Sequence, residues 1–306
     1  MIWYGIQRLA QAVPTLFVIS LLTFAMLRLI PGDPAILIAG EEATPQTLAV
    51  MRERLGLNRP LYEQYGQYLA ALFRGDLGTS IRTKGSVADE LAARVPATLE
   101  LAVAGGLLFT VVGAGMGVGA ATWPGRWPDH LVRGLSLIAV STPAFWLGAL
   151  LVWIFAVQWG LLPVAGRGSL AFLILPAVTV SLDGIALLAR VVRASLLDVL
   201  GEDYIRTAWA KGLPDHAVVG RHAMRVALVP VVTVVGLEFG RLLGGVVVVE
   251  NVFGWPGVGR LLIDGVHTRD YPLVQSGILV FAATLIAVNV AVDVLVGVLD
   301  PRVRYL

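Results

Sequence analysis

Long apolar stretches alternate with short polar ones along the whole chain. Six runs, at about 9–30, 97–121, 132–156, 170–189, 227–249 and 273–298, are each predominantly apolar. A helix needs about 20 such residues to cross a bilayer. Their periodicity is weak, as expected of helices that are apolar on nearly all sides. The fourth run is interrupted by Asp183 and closed by Arg190. The pattern predicts an all-α integral membrane protein with six transmembrane helices. The first run continues to Ile30, beyond the ~7–15 residue core of a signal peptide, so it is expected to stay as a span.

Composition supports this picture. Charged residues make up 14% of the 306 residues, hydrophobic residues 57%, and the mean hydropathy is +0.79. A soluble domain carries about 25% charged residues. No cysteine is present, so neither a disulfide framework nor a thiolate metal site can form. A net charge of +2 gives no broad basic field for nucleic acid. Orientation follows from the basic residues of the short loops. With the N-terminus in the cytoplasm, eleven Lys and Arg fall inside and three (Arg167, Arg260, Arg269) outside. Both termini are therefore expected to be cytoplasmic.

Three regions follow: 1–30 with the first span, an outer segment at 31–95, and a transmembrane domain at 96–306 with a cytoplasmic loop at about 193–226. In the outer segment, Thr44-Pro45 is a good helix start. Pro60 opens a second helix, on which Leu61, Tyr65, Tyr68, Leu69, Leu72 and Phe73 recur at helical spacing before Gly75-Asp76-Leu77-Gly78 ends it. An amphipathic helix at the outer interface is expected there. Gly113, Gly115, Gly117 and Gly119 form two overlapping GxxxG patterns, and Gly236, Gly240 and Gly244 form a small-residue face. Both suit close helix packing.

Ionisable and amide groups at membrane depth are costly and mark functional candidates. Asp183, Glu238, Arg241, Asn289 and Asp293 are candidates to line a translocation pathway. Glu238 and Arg241, three residues apart, can also neutralise one another, and Asp183 could instead reach Arg241 across helices. Phe253, Trp255 and Pro256 form a rigid aromatic turn on the outer side, either an interface anchor or a gate over a pore mouth.

The loop between the fourth and fifth runs is the most informative stretch. Ile205, Ala208 and Trp209 give one apolar face, with Arg206 and Lys211 off it. Asp203 suits a helix start. Gly212 can end the helix in the left-handed conformation, and Pro214 prevents its continuation. A second helix from Asp215 carries Val218, Val219, His222, Ala223 and Val226 into the next span. Such a helix can dock in a partner's groove or serve as a connector.

Tyr204-Ile-Arg-Thr-Ala-Trp-Ala-Lys-Gly-Leu213 resembles the EAA loop of ABC importer permeases of the dipeptide/oligopeptide (peptide/nickel) branch. Arg206-Thr207-Ala208 stands in the Glu-Ala-Ala place, Gly212 matches, and the proline arrives late, at Pro230. Further similarities run through the chain: Pro31-Gly-Asp-Pro34, Leu55-Gly-Leu-Asn-Arg-Pro60, Gly75-Asp-Leu-Gly-Thr-Ser80, Pro96-Ala-Thr-Leu-Glu100, Val252-Phe-Gly-Trp-Pro-Gly257, Arg269-Asp-Tyr-Pro272 and Asp300-Pro-Arg-Val-Arg-Tyr305. The resemblance implies a type I importer permease fold in the bacterial or archaeal plasma membrane. It implies a second, paralogous permease, two ATPase subunits and an external substrate-binding protein. ATPase docking would fall to Tyr204, Arg206, Thr207, Ala208, Ala210, Lys211, Gly212 and Leu213. It also implies peptide substrates, or alternatively nickel chelates, glutathione or oligosaccharides. The chain has no GxxxxGK[ST] loop. It is thus expected not to be an enzyme and to bind no cofactor, with ATP and Mg on partner subunits. An intramembrane hydrolase would need a nucleophile and base at matching depth, but His130, His216, His222 and His267 all fall in or beside loops. A self-contained secondary transporter or channel would show internal repeats, and none is found.

Overall fold

The computed structural model describes residues 2–29, 35–36, 43–54 and 56–299. The Pro31–Pro34 and Asp300–Tyr305 segments lie outside the described residues, as does the side chain of Asp293. The fold is all-α. In chain order the helices are α1 (Ile2–Leu29), α2 (Pro45–Arg54), α3 (Leu61–Phe73), α4 (Val87–Thr122), α5 (Trp127–Ser141) and α6 (Ala144–Leu151). They continue as α7 (Leu170–Leu200), α8 (Asp203–Ala210), the single turn α9 (Asp215–Ala217), α10 (Met224–Val252), α11 (Val258–His267) and α12 (Tyr271–Leu299). π-helical segments at Val152–Gln158 and Val218–Ala223 extend α6 and join α9 to α10. Helices α4, α7, α10 (from Asp215) and α12 are long and apolar enough to cross a membrane. α1 adds a shorter apolar stretch, Ala10–Met26.

The third apolar run is not one straight helix. It breaks between α5 and α6, which meet at 110°. Pro143 causes the break. It has no N–H to donate, and it pushes the preceding residue out of the helical region. Thr142 accordingly takes φ −113 and ψ 113. Hydropathy alone, averaging over Thr142-Pro143, predicts a continuous span at 132–156.

Two compact units divide the chain, with boundaries inside α4, between Ala97 and Thr98, and inside α12, between Ala287 and Val288. The larger unit contains residues 98–256 and 288–306 with the first five residues. Its centre is α7 against α10, α5 and α4. Glycines set the α4–α7 approach. A β-carbon at Gly117 would come within 2.6 Å of Val192 Cβ, and one at Gly113 within 3.0 Å of Leu188 Cβ. Gly115 has nothing within 4 Å. Only one of the two GxxxG registers, Gly113/Gly117, is therefore filled by α7.

The smaller unit contains residues 6–97 and 257–287. Pro60 caps α3 as expected, and Gly75, at φ +78, follows its end. Tyr65 and Tyr68 of α3 pack on Phe24 of α1, with ring centroids 5.2 and 6.3 Å away. The apolar face of α3 thus covers α1. Arg28 is held by Gln64 Oε1 through Nε (3.0 Å) and Nη2 (2.8 Å). Val87 and Leu91 of α4 form a core with Val258, Leu261 and Leu273.

Candidate functional site

The loop after α7 folds into a platform. Helix α8 starts after Glu202, which takes the extended N-cap conformation, and Asp203 is its first residue. Its end is fixed by Gly212 at φ +80. The Gly212 N–H donates to Trp209 O at 2.8 Å and the Leu213 N–H to Ala208 O at 3.4 Å, the paired bonds of a Schellman motif. Pro214 then caps α9. On α8, Ile205 and Ala208 are the buried residues. They join a cluster of Ala121, Leu196, Val199, Val218, Ala223 and Ala227 drawn from α4, α7, the Val218–Ala223 segment and α10.

Trp209 does not share that apolar face. It is 39% exposed, and its indole N–H donates to Asp215 Oδ1 at 3.0 Å. The polar handle of the indole keeps it at the surface, where it ties the end of α8 to α9. Tyr204, Arg206, Thr207, Ala210, Lys211, Gly212 and Leu213 are all exposed. Ala208, expected on the docking surface, packs into the cluster instead. Arg206 makes only an exposed 3.4 Å pair with Asp203, and such pairs contribute little to stability. The α8 platform therefore has a face anchored in three long helices and an outward face whose aromatic, basic and small groups are free to meet a partner.

Within the larger unit, Asp183, Glu238 and Arg241 line one cavity of about 100 Å³ between α4, α7 and α10. Arg241 Nη1 donates to Glu238 Oε1 at 2.8 Å. Glu238 is buried, while the Arg241 side chain is 69% exposed. Among the described residues no ion pair joins Asp183 to Arg241; the i, i+3 pairing prevails. Asn289 lies against Gly240, where a β-carbon would sit 3.3 Å from its Oδ1. That places α12 beside this stretch of α10.

The outer turn is internal to the larger unit. Phe253 and Trp255 are 2% and 1% exposed, so neither ring anchors the chain in a membrane interface. A second Schellman motif forms the turn: Gly254 has φ +56, and the Trp255 N–H donates to Glu250 O at 2.8 Å. The Gly166 N–H donates to Phe253 O at 2.9 Å. Arg167, paired with Glu100 at 2.5 Å, lies 6.0 Å from the Trp255 ring centre. Pro256 is half-buried.

Residues 112–305 match the family described as "Binding-protein-dependent transport system inner membrane component", and residues 1–102 match that family's N-terminal region. The chain belongs to this family. As a binding-protein-dependent transport component it is a permease subunit of an ABC importer. It is 47% identical over 305 residues, covering 100% of both chains, to the glutathione transport system permease protein GsiC of Escherichia coli O6:H1. The Escherichia coli K12 and Shigella flexneri proteins of that name are 46% identical over the same length. Among solved structures, the MetNI methionine ABC transporter aligns with a TM-score of 0.56 at 18% identity, covering 69% of this chain and 96% of that one. An amino acid ABC transporter aligns with a TM-score of 0.53 at 15% identity, covering 70% and 94%. These distant likenesses establish the fold of the importer permease.

Sequence reasoning gave no role to several buried carboxylates of this permease, Asp129 and Glu250 among them. Asp129, on the first turn of α5, is fully buried. Its Oδ1 accepts from Arg193 Nε (2.6 Å) and Arg133 Nε (3.1 Å), and its Oδ2 from the Gly125 N–H (2.9 Å). This clamps α5 to α7 near the platform. The signal was an acidic residue just inside a helix start, in Trp127-Pro128-Asp129. Glu250, fully buried, accepts from Thr98 Oγ1 at 2.6 Å. The single acidic residue ending the run Val246-Val-Val-Val249 marked it.

Proposed function

We propose that this chain forms one half of the translocation pathway of an ATP-driven importer for short peptides, and that glutathione, a tripeptide, is the first substrate to test. The end-to-end 47% identity with the glutathione permease carries this reading. Six spans cross the plasma membrane with both termini in the cytoplasm, α1 being the first. The exposed face of α8, with Tyr204, Arg206, Thr207, Ala210, Lys211, Gly212 and Leu213, receives an ATPase subunit. Two ATPases closing on one another need two such platforms. A second permease, paralogous to this one, supplies the other, and an external binding protein delivers substrate. Coupling has a physical basis in the burial of Ile205: a push on α8 is passed to α4, α7 and α10 through the cluster it enters. Asp183, Glu238, Arg241, Asn289 and Asp293 are the polar groups that a peptide would meet along the pathway. Phe253, Trp255 and Pro256 brace its outer side.

Uptake of isotopically labelled glutathione by host cells tests the substrate. Cells lacking this chain should lose most of the uptake and regain it when the chain is restored. Undiminished uptake in the deleted strain would remove glutathione from the reading.

A further inference from the structure

The smaller unit contains a cavity of about 850 Å³, lined by α1, α3, the 76–81 loop and the first turn of α12. Its size lies within the ~300–1,000 Å³ of small-molecule sites. Leu21, Phe24, Leu61, Leu77 and Ile81 give it a mainly apolar wall. Among the described residues, three buried polar atoms on side chains that line it have no hydrogen-bond partner: the hydroxyls of Tyr68 and Tyr271 and Nε2 of Gln275. Tyr271 and Gln275 are each 8% exposed. The Tyr68 hydroxyl faces the Gln275 side chain without meeting the geometry of a hydrogen bond. Buried donors without partners are rare and costly. Two neighbouring polar groups are already committed: Gln64 Nε2 donates to Arg59 O at 2.9 Å, and Ser276 Oγ to Leu77 O at 2.8 Å. The stranded donors therefore await something that enters the cavity.

The chemistry of the wall defines that ligand. An amide N–H only donates, and burial pushes the Tyr68 phenol up to about 12, so it keeps its proton at neutral pH. A complementary molecule is long and apolar with one cluster of hydrogen-bond acceptors. A glycerophospholipid has that form: its acyl chains are apolar and its ester carbonyls only accept. Because α1 is read as a membrane helix, lipid also lies within reach.

We propose that this cavity is a phospholipid site, holding an acyl chain against α1 and α3 with a glycerol ester carbonyl turned to Tyr68, Tyr271 and Gln275. Each of the three side chains would rotate to present its buried donor to the cavity. This inference rests on α1 being a membrane helix and is independent of the substrate transported.

The test uses the full chain, extracted in mild detergent and titrated with phosphatidylglycerol under native mass spectrometry. A phosphatidylglycerol with a photoreactive acyl chain gives a second readout that needs no variant. The expected result is one retained lipid per chain and crosslinks confined to α1, α3 and the start of α12. Gln275→Leu and Tyr271→Phe, which keep the wall's shape, should each weaken retention about fivefold. Ala71→Phe, which fills the cavity, should abolish it. Crosslinks scattered over the other helices would overturn the proposal. Retention unchanged in Gln275→Leu and Tyr271→Phe would do so too, as would a labelled tripeptide displacing the lipid from these residues.

Discussion

Replacing Ile205 with alanine removes the one large side chain that seats α8. Ile205 is 0% exposed, and its only buried companion on the helix is Ala208. Three carbons are lost at about 0.8 kcal/mol each, or about 2.4 kcal/mol in transfer alone. The space left behind raises the total towards the ~2–5 kcal/mol of such truncations. The long helices beneath have their own contacts, so the cost should appear as local release of α8, not as global unfolding. At tenfold per ~1.4 kcal/mol, 2.4 kcal/mol increases the open population about 50-fold. Hydrogen exchange on the protein in lipid nanodiscs, read on peptides covering 203–213, should accelerate by that factor while α4 stays protected. Ile205→Val should fall between, at about 0.5–1.5 kcal/mol. Arg206→Ala, on the outward face, should change stability by less than ~0.5 kcal/mol. Unchanged exchange in Ile205→Ala would refute the claim that this side chain anchors the platform.

Other outcomes follow from neighbouring features. Gly212→Leu places a side chain at φ +80 at about 1–2 kcal/mol. Nothing lies within 4 Å of the added carbon, so the chain should still reach the membrane while transport is lost; normal transport by this variant would make α8 a mere connector. For the span pair, Arg241→Ala should assemble poorly, because it leaves the buried Glu238 unpaired, while Glu238→Ala, which leaves a largely exposed arginine, and the double variant should both assemble better. Full transport by the double variant would dismiss a substrate role. Reporter tags at the N-terminus, at Gly212 and after Leu306 should face the cytoplasm and one near Gly75 the outside; an outward C-terminus would exclude six spans.

Much of this architecture was legible in local chemistry. The starts of α2 and α3 follow from Pro45 and Pro60, and the stop of α8 from Gly212, because backbone restrictions act where they stand in the sequence. Choices that depend on three-dimensional neighbours were not legible. Trp209 has the spacing of a core residue, but a hydrogen bond to Asp215 holds it at the surface. Phe253 and Trp255 look like interface anchors until the turn at Gly254 folds them inward. Asp129 could not be paired from the sequence, because its partner Arg193 is 64 residues away. Hydropathy averaged over Thr142-Pro143 hides a break that the proline itself announces. The unpartnered donors of Tyr68, Tyr271 and Gln275 emerge only when α3 and α12 are brought to one cavity.

On the proposed function, this chain conducts substrate only when driven by ATP hydrolysed on partner subunits. Accumulation of labelled glutathione in proteoliposomes tests it directly, using the complex purified through a tag on this chain with its binding protein outside. Hydrolysable ATP at the ATPase face should drive uptake above the external concentration, and a non-hydrolysable analogue should give none. Equal uptake with and without ATP would contradict the account and identify a self-contained transporter.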